Sequence, residues 1–421
     1  MRGRGGPASR IGGLCLLIVG VVLLLGATAS GASANELVDI AVPDRNGELP
    51  KQWVVRYPEG DGPRAKVLLP DNYDPRRKYP LLVLLIGLSS HYSDWSDPGQ
   101  GEIAKIAEGF PGIIVMPEGG DGWYADWWNG GKRGDPSWES YILDQVIPQI
   151  QERYPIRPER RWHSLAGVSM GGLGTAYLGG RLPGFFGSIA IFSGFVDTQI
   201  VPFIEPFQAS IAYAGAGLAP TDPFIVTGPP GGFYETGHNP TKLAANLAHT
   251  RVFMTTGDGT PVVQDPGRTF VGLGIVGQSE ELAIIRPMSD SYATALRAAD
   301  VDLTYDSHPG NHDWDNFRPE FRAAVSWGLF EPVVERPSEW INDTVASHGT
   351  LWDVGYRFDS PPDRVVRFHR AGNRLAISAA GSPVTIKTDG GCVLQTATPG
   401  AIQVPARPCI KRRVPASASA P

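Results

Sequence analysis

The chain has 421 residues, with 37 Lys and Arg against 43 Asp and Glu, giving a formal charge of −6. Hydrophobic residues make up 42% and charged residues 19%, enough apolar content to bury a core, which excludes wholesale disorder. Gly (52) and Pro (38) are abundant but follow no Gly-X-Y period, which excludes collagen. The acidic balance and the lack of a basic stripe exclude nucleic acid as a partner, because phosphate neutralisation needs a basic surface. At about 150 residues per domain the length accommodates two or three domains.

Arg2, Arg4 and Arg10 precede an uncharged apolar run from Ile11 to Ala27, and small residues follow, Ala27-Thr28-Ala29 and Ala32-Ser33-Ala34. This order is that of a secretory signal peptide over residues 1–34, with cleavage before Ser30 or Asn35. The alternative, an uncleaved anchor, would sit at the lower length limit of a membrane span. Cleavage removes three arginines and no acid, so the charge moves from −6 to −9, and it leaves two of the three cysteines, Cys392 and Cys409. An even pair in an exported chain points to one disulfide and a secreted or envelope-associated protein. The bridge would close a loop of about 17 residues, worth about 3 kcal/mol of chain entropy.

From about residue 50, strand-like segments alternate with helical ones. Trp53-Val54-Val55-Arg56-Tyr57 and Ala65-Lys66-Val67-Leu68-Leu69 read as strands, and Pro70 to Pro75 as a turn-rich link. The apolar runs Leu81 to Ile86 and Gly112 to Met116 fit strands buried on both faces of a parallel sheet. Ser137 to Tyr154 has helical spacing, Trp162 to Val168 is a strand, and Gly172 to Gly180 opens a small-residue helix. Phe185 to Phe192, Arg251 to Thr256 and Val301 to Ser307 are further strands, with a helix from Met288 to Ala298. This alternation predicts an α/β class, doubly wound sheet as a catalytic domain over residues 35–334. Residues 197–250 lack the rhythm and are rich in Gly, Pro and aromatics, so they are expected to form an irregular insertion over the site. Residues 335–412 change pattern again. Val354 to Phe358, Val365 to Phe368, Arg374 to Ile377, Val384 to Lys387 and Cys392 to Leu394 are short strands between turn signals, predicting a small all-β, sandwich-like domain. Residues 413–421 form a low-complexity tail.

Gly167-Val168-Ser169-Met170-Gly171-Gly172 is a G-x-S-x-G motif between a predicted strand and a predicted helix, the context a nucleophilic serine requires. A serine hydroxyl needs a base. His312, in Pro309-Gly310-Asn311-His312-Asp313-Trp314, follows the last predicted strand, where such a histidine belongs. His308 is its rival and reads as a strand-end structural residue. A metal site built on His308 and His312 with Asp306 or Asp313 lacks further ligands. The Trp-rich run Trp123, Trp127, Trp128 and Trp138 reads equally as core packing or as the lining of a sugar or acyl site.

Taken together, Tyr79-Pro80 with the run Leu81 to Leu88, the serine motif, Ser193-Gly194-Phe195, Gly257-Asp258-Gly259-Thr260-Pro261 and Gly310 to Trp314 resemble an esterase family. That family includes esterase D (S-formylglutathione hydrolase) and the secreted mycolyltransferases of actinobacteria. Tyr124-Ala125-Asp126-Trp127 brings the chain nearer the mycolyltransferase branch. The resemblance covers about residues 50–330 and implies an α/β-hydrolase fold, acyl-serine chemistry and no cofactor or metal. It assigns Ser169 as nucleophile, His312 as base, and the backbone N–H groups of Leu88 and Met170 as the oxyanion hole. It places the acid on a glutamate about thirty residues before the histidine. Glu281 is preferred because Leu282, Ile284 and Ile285 follow it; Glu280 and Asp258 are the alternatives. One departure matters: the mycolyltransferase branch has an aspartate and an arginine that grip a sugar acceptor where this chain has Ile86 and Ser89.

Three readings follow: a secreted serine esterase acting on a small-molecule or lipid ester, a cell-envelope acyltransferase with a sugar or lipid acceptor such as an envelope glycolipid, or a catalytically silent envelope-binding protein. None requires an obligate protein partner.

Overall fold

The computed structural model describes residues 34–49, 62–200, 204–215, 222–260 and 277–409. Residues 1–33 of the expected signal peptide, the strand at residues 53–57 and the tail lie outside them.

The central sheet has eight strands: β1 (Glu36–Ala41), β2 (Arg64–Leu69), β3 (Leu81–Leu85), β4 (Ile113–Pro117), β5 (His163–Val168), β6 (Ser188–Phe192), β7 (Arg251–Gly257) and β8 (Leu303–His308). Their order is β1-β2-β4-β3-β5-β6-β7-β8. β1 and β2 pair antiparallel, β2 meets β4 antiparallel, and every other neighbour is parallel. The sheet is therefore mixed. The continuous apolar run of β3 is explained by burial on both faces: Leu81, Val83 and Leu85 enter one core, while Leu82, Leu84 and Ile86 enter a second core on the other face. Helix α2 (Met170–Arg181) and helix α4 (Arg286–Ala298) pack into the first core through Leu173, Tyr177, Met288 and Tyr292. Helix α5 (Trp314–Trp327) packs into the second through Phe317 and Phe321. Helix α1 (Ile147–Arg153) continues a π-helical turn, Tyr141–Val146, over the stretch with helical spacing.

The structure adds elements that the sequence pattern did not signal. β1 is one. The irregular segment holds a twelve-residue helix, α3 (Ile204–Gly215), masked in the sequence by its Gly- and Pro-rich flanks; Pro206 lies in its first turn, where no N–H is missed. α5 begins at Asp313, whose side chain accepts hydrogen bonds from the N–H groups of Asp315 and Asn316. The strand expected from Phe185 begins at Ser188 instead, because Phe185 stacks on the His163 ring with centroids 4.0 Å apart.

Beyond residue 335 lie β9 (Glu339–Thr344), β10 (His348–Leu351), β11 (Val354–Phe358), β12 (Val366–Ala371), β13 (Arg374–Ile377), β14 (Val384–Thr388), β15 (Val393–Thr396) and β16 (Gly400–Gln403). They form two four-stranded antiparallel sheets, β10-β11-β14-β15 and β16-β13-β12-β9, around one apolar core. Alternate residues of β11, Val354, Tyr356 and Phe358, point into that core, as period-2 patterning requires. Cys392 and Cys409 form a disulfide.

This β unit grips the α/β unit through buried polar groups. The Arg181 guanidinium, at the end of α2, is 3% exposed. It donates to Glu139 Oε1 at 2.5 Å, to the Tyr356 hydroxyl at 3.1 Å and to the His348 carbonyl at 3.2 Å. Burial opposes the charge of Glu139, but Arg181 and His238 beside it hold its carboxyl down at about 2. Asn342 Nδ2 donates to the Gly180 carbonyl, and Asn246 and Asp343 exchange two hydrogen bonds.

Candidate active site

Ser169 follows β5 directly and caps α2 with φ +57° and ψ −119°, a conformation an L-residue holds only under strain. The surrounding contacts enforce it. The Ser169 N–H donates to the Phe192 carbonyl at 2.9 Å. A side chain on Gly167 would meet the Gly171 carbonyl oxygen at 2.3 Å, and one on Gly171 would meet the Ile86 carbonyl oxygen at 2.7 Å. Only glycine lets strand, turn and helix approach this closely. The turn thereby lifts Oγ above the end of the strand.

His312 lies in the loop between β8 and α5, its N–H donating to the Gly277 carbonyl at 3.2 Å. Its Nε2 is 2.9 Å from Ser169 Oγ, and its Nδ1 is 2.8 Å from Glu281 Oε2. The Glu281 carboxylate is fully buried. Its other oxygen, Oε1, accepts from Ser193 Oγ at 2.8 Å, Thr256 Oγ1 at 2.7 Å and the Gly257 N–H at 2.6 Å. Burial opposes its charge, but the hydrogen bonds from His312, Thr256 and Ser193 hold the carboxyl below its ordinary range. The three residues that the sequence proposed, 143 positions apart at the extremes, therefore meet in one hydrogen-bonded chain.

Glu281 opens a π-helical turn, Glu281–Ile285, that follows residues 277–280 of the same helix and leads into α4. It does not head the helix. The alternative Glu280 also reaches the ring: its Oε1 lies 3.7 Å from His312 Nε2, so adjacent glutamates flank opposite nitrogens of one imidazole. Asp258 serves its own turn, accepting from the Thr260 N–H at 2.7 Å. His308 and His312 do not share ligands: His308 Nε2 faces Glu320 Oε1 at 3.3 Å.

Burial would lower the His312 pKa, but the charge of Glu280 and the hydrogen bond to Glu281 push it up to about 9. A base must be neutral to accept a proton, so the acid limb of kcat/KM is expected at alkaline pH. Glu280→Gln removes one of the carboxylates that favour the imidazolium. The pKa then falls and the acid limb moves to lower pH, raising activity near neutrality. Glu281→Gln should instead lower kcat strongly, and Asp258→Asn only mildly. Full pH–rate profiles of the three variants check this; a profile unmoved by Glu280→Gln would contradict it.

Leu88 and Met170, the expected oxyanion donors, flank the serine. Met170 opens α2, and a side chain on Gly87 would touch Ser169 Cβ at 3.3 Å, so the loop carrying Leu88 runs against the serine. Ile86 is turned into the core, and the exposed Ser89 uses its N–H on Asp121 Oδ1 at 2.6 Å. The tryptophans divide. Trp123, Trp127 and Trp138 are buried packing residues, and Trp128 is half-buried against Tyr234 with centroids 5.0 Å apart. Trp123 backs Phe195 at 5.7 Å and Phe207 at 6.1 Å, and Phe195 stands edge-on to His312 at 6.5 Å. An apolar wall therefore reaches the imidazole.

The Esterase family model, described as "Putative esterase", matches residues 60–327. "Esterase Rv1288" of Mycobacterium tuberculosis (strain ATCC 25618 / H37Rv) is 28% identical over 300 residues, 68% of this chain and 61% of that protein. The chain thus spans about three fifths of the length of this relative. An "Acetyl esterase" of Caldicellulosiruptor saccharolyticus is 21% identical over 251 residues, 58% of this chain and 82% of that protein. The crystal structure of Mycobacterium tuberculosis MPT51 (FbpC1) superposes with a TM-score of 0.50 at 18% identity, covering 70% of this chain and 98% of that one, a likeness of fold. With the family model matching well over half the chain, and a serine motif on the strand–turn–helix that carries it, the chain belongs to the Esterase family.

Proposed function

We propose that this chain is a serine esterase of the cell exterior, hydrolysing carboxylic esters through an acyl-Ser169 intermediate. The observation that carries the reading is the continuous hydrogen-bonded chain Ser169–His312–Glu281 beside the strained turn. His312 Nε2 takes the Ser169 proton as Oγ attacks the ester carbonyl. The oxyanion is received by the N–H groups of Leu88 and Met170. Glu281 fixes the imidazole through Nδ1 and stabilises the imidazolium, which then passes its proton to the leaving alcohol. Water, activated by the same nitrogen, releases the acid and restores the serine. The export segment read at residues 1–34 and the Cys392–Cys409 disulfide support a secreted or envelope-associated location.

The acyl chain lies along Phe195, Phe207 and Trp123 in this reading. At about 0.8 kcal/mol per buried CH2, kcat/KM for p-nitrophenyl esters is expected to rise about tenfold from acetate to butyrate. Assaying that series with and without trehalose or glucose tests the acceptor. Release of free acid, unaffected by sugar, supports the esterase. Acyl-sugar product would replace it with a transferase, and absence of turnover with every ester would leave a binding protein.

A further inference from the structure

Behind the proposed triad lies a second acid–imidazole pair. Glu320, from α5, is 1% exposed, and its Oε1 is 3.3 Å from His308 Nε2, 3.3 Å from Asn316 Nδ2 and 3.4 Å from Ser193 Oγ. Ser193 is fully buried just after β6, at φ +44°, with its N–H on the Thr255 carbonyl at 3.0 Å. Its hydroxyl stands between two carboxylates, 2.8 Å from Glu281 Oε1 and 3.4 Å from Glu320 Oε1, and has one proton to give.

The far end of the array decides where that proton goes. His308 Nε2 faces the Glu320 carboxylate, and Nδ1 lies 3.0 Å from the Pro309 carbonyl, an obligate acceptor. Both ring nitrogens face acceptors, which only the imidazolium satisfies, since the neutral ring has a single N–H. The hydrogen bond that His308 donates to Glu320 raises the His308 pKa to about 9 against the opposing effect of burial, with Asp306 on the same strand adding to it. Around the pair, β7 contributes the uncharged Thr255 to Gly257, α5 contributes Glu320, and Glu281 lies beyond Ser193.

We propose that His308 and Glu320 are positioning residues for His312: a cation–carboxylate pair that neutralises Glu320, leaves the Ser193 proton on Glu281 and so fixes the carboxylate that orients the base. This rests on the Ser169–His312–Glu281 reading. Burial and the charge of Glu281 already push the Glu320 carboxyl up, with His308 opposing them; without that cation, whatever charge Glu320 kept would face Glu281 uncompensated across a single hydroxyl. It would compete for that proton and disfavour the charge on Glu281.

The test is a double-mutant cycle on the full chain, read with p-nitrophenyl butyrate. His308→Gln is expected to lower kcat about tenfold with KM within twofold, and His308→Lys, which keeps a cation beside Glu320, to recover most of the loss. Glu320→Gln, removing the competing charge, should cost about threefold. The double variant should stay near threefold rather than fall to the additive thirtyfold. Wild-type kcat in His308→Gln, an additive double variant, or a loss matched by reduced folded fraction in thermal melts would each overturn the proposal. If His308→Gln does not fold, a Lys variant that folds but loses tenfold in kcat overturns it equally. Fluorophosphonate labelling of Ser169→Ala separates the two levels: labelling that survives this change refutes the triad itself, whereas labelling lost there with an additive cycle refutes only the role of His308 and Glu320.

Discussion

Ser169→Ala is expected to lower ester turnover by about ten-thousand-fold or more and to leave the fold intact. The hydroxyl is the atom that would form the acyl bond, and it lies 2.9 Å from His312 Nε2. Alanine is the informative replacement. It carries the same Cβ at φ +57° and so keeps the strain of the turn, whereas glycine would relax it and confound loss of chemistry with a change in backbone. A fluorophosphonate probe should label the wild-type chain at Ser169 and leave the alanine variant unlabelled. Labelling of a folded Ser169→Ala protein at the wild-type level would remove Ser169 from the mechanism.

Arg181→Met is expected to have the largest effect on stability. Its side chain is buried with that of Glu139, which it contacts at 2.5 Å, and the pair is held by the Tyr177 and Tyr356 hydroxyls and the His348 carbonyl. Removing the guanidinium strands the Glu139 carboxylate in the interior beside His238, 3.7 Å away. Breaking a buried pair from one side costs about 3–5 kcal/mol. Thermal melts should show Tm falling by on the order of 10 °C. Arg181→Met combined with Glu139→Gln should regain part of this, since the uncompensated charge is then gone. A single variant within 1 °C of wild type would mean that the interface does not depend on this pair.

The elements legible in the sequence were those whose signal is local. β3 and β4 announce themselves as unbroken apolar runs because they are buried on both faces, and β11 as strict alternation because only one of its faces is. Ser169 was legible because the turn needs its glycines at fixed offsets, and His312 because it follows the last strand of the sheet. Glu281 needed the family resemblance, since two adjacent glutamates look alike until the π-helical turn directs them to different nitrogens of the ring. Ser193 stands out only as part of a family motif and His308 only as a strand-end structural residue, and nothing local ties either of them to Glu320. They come from the ends of β6 and β8 and from the middle of α5, and only the folded sheet edge makes them neighbours. β16 escaped notice for a simpler reason: an edge strand of Gly400–Gln403 buries little and needs no alternation.

The shell around Arg181 also imposes an order on the making of the protein. Glu139 precedes it in the chain, but Tyr356 and the His348 carbonyl follow by 175 and 167 residues. The far end of the helix that follows Ser169 therefore gains its Tyr356 and His348 contacts only once β10 and β11 have been synthesised. Until then a charged group destined for the interior stands in water. A nascent chain halted before residue 348 carries every residue of the proposed triad yet lacks two of the partners that hold Arg181 at the end of the helix beneath it.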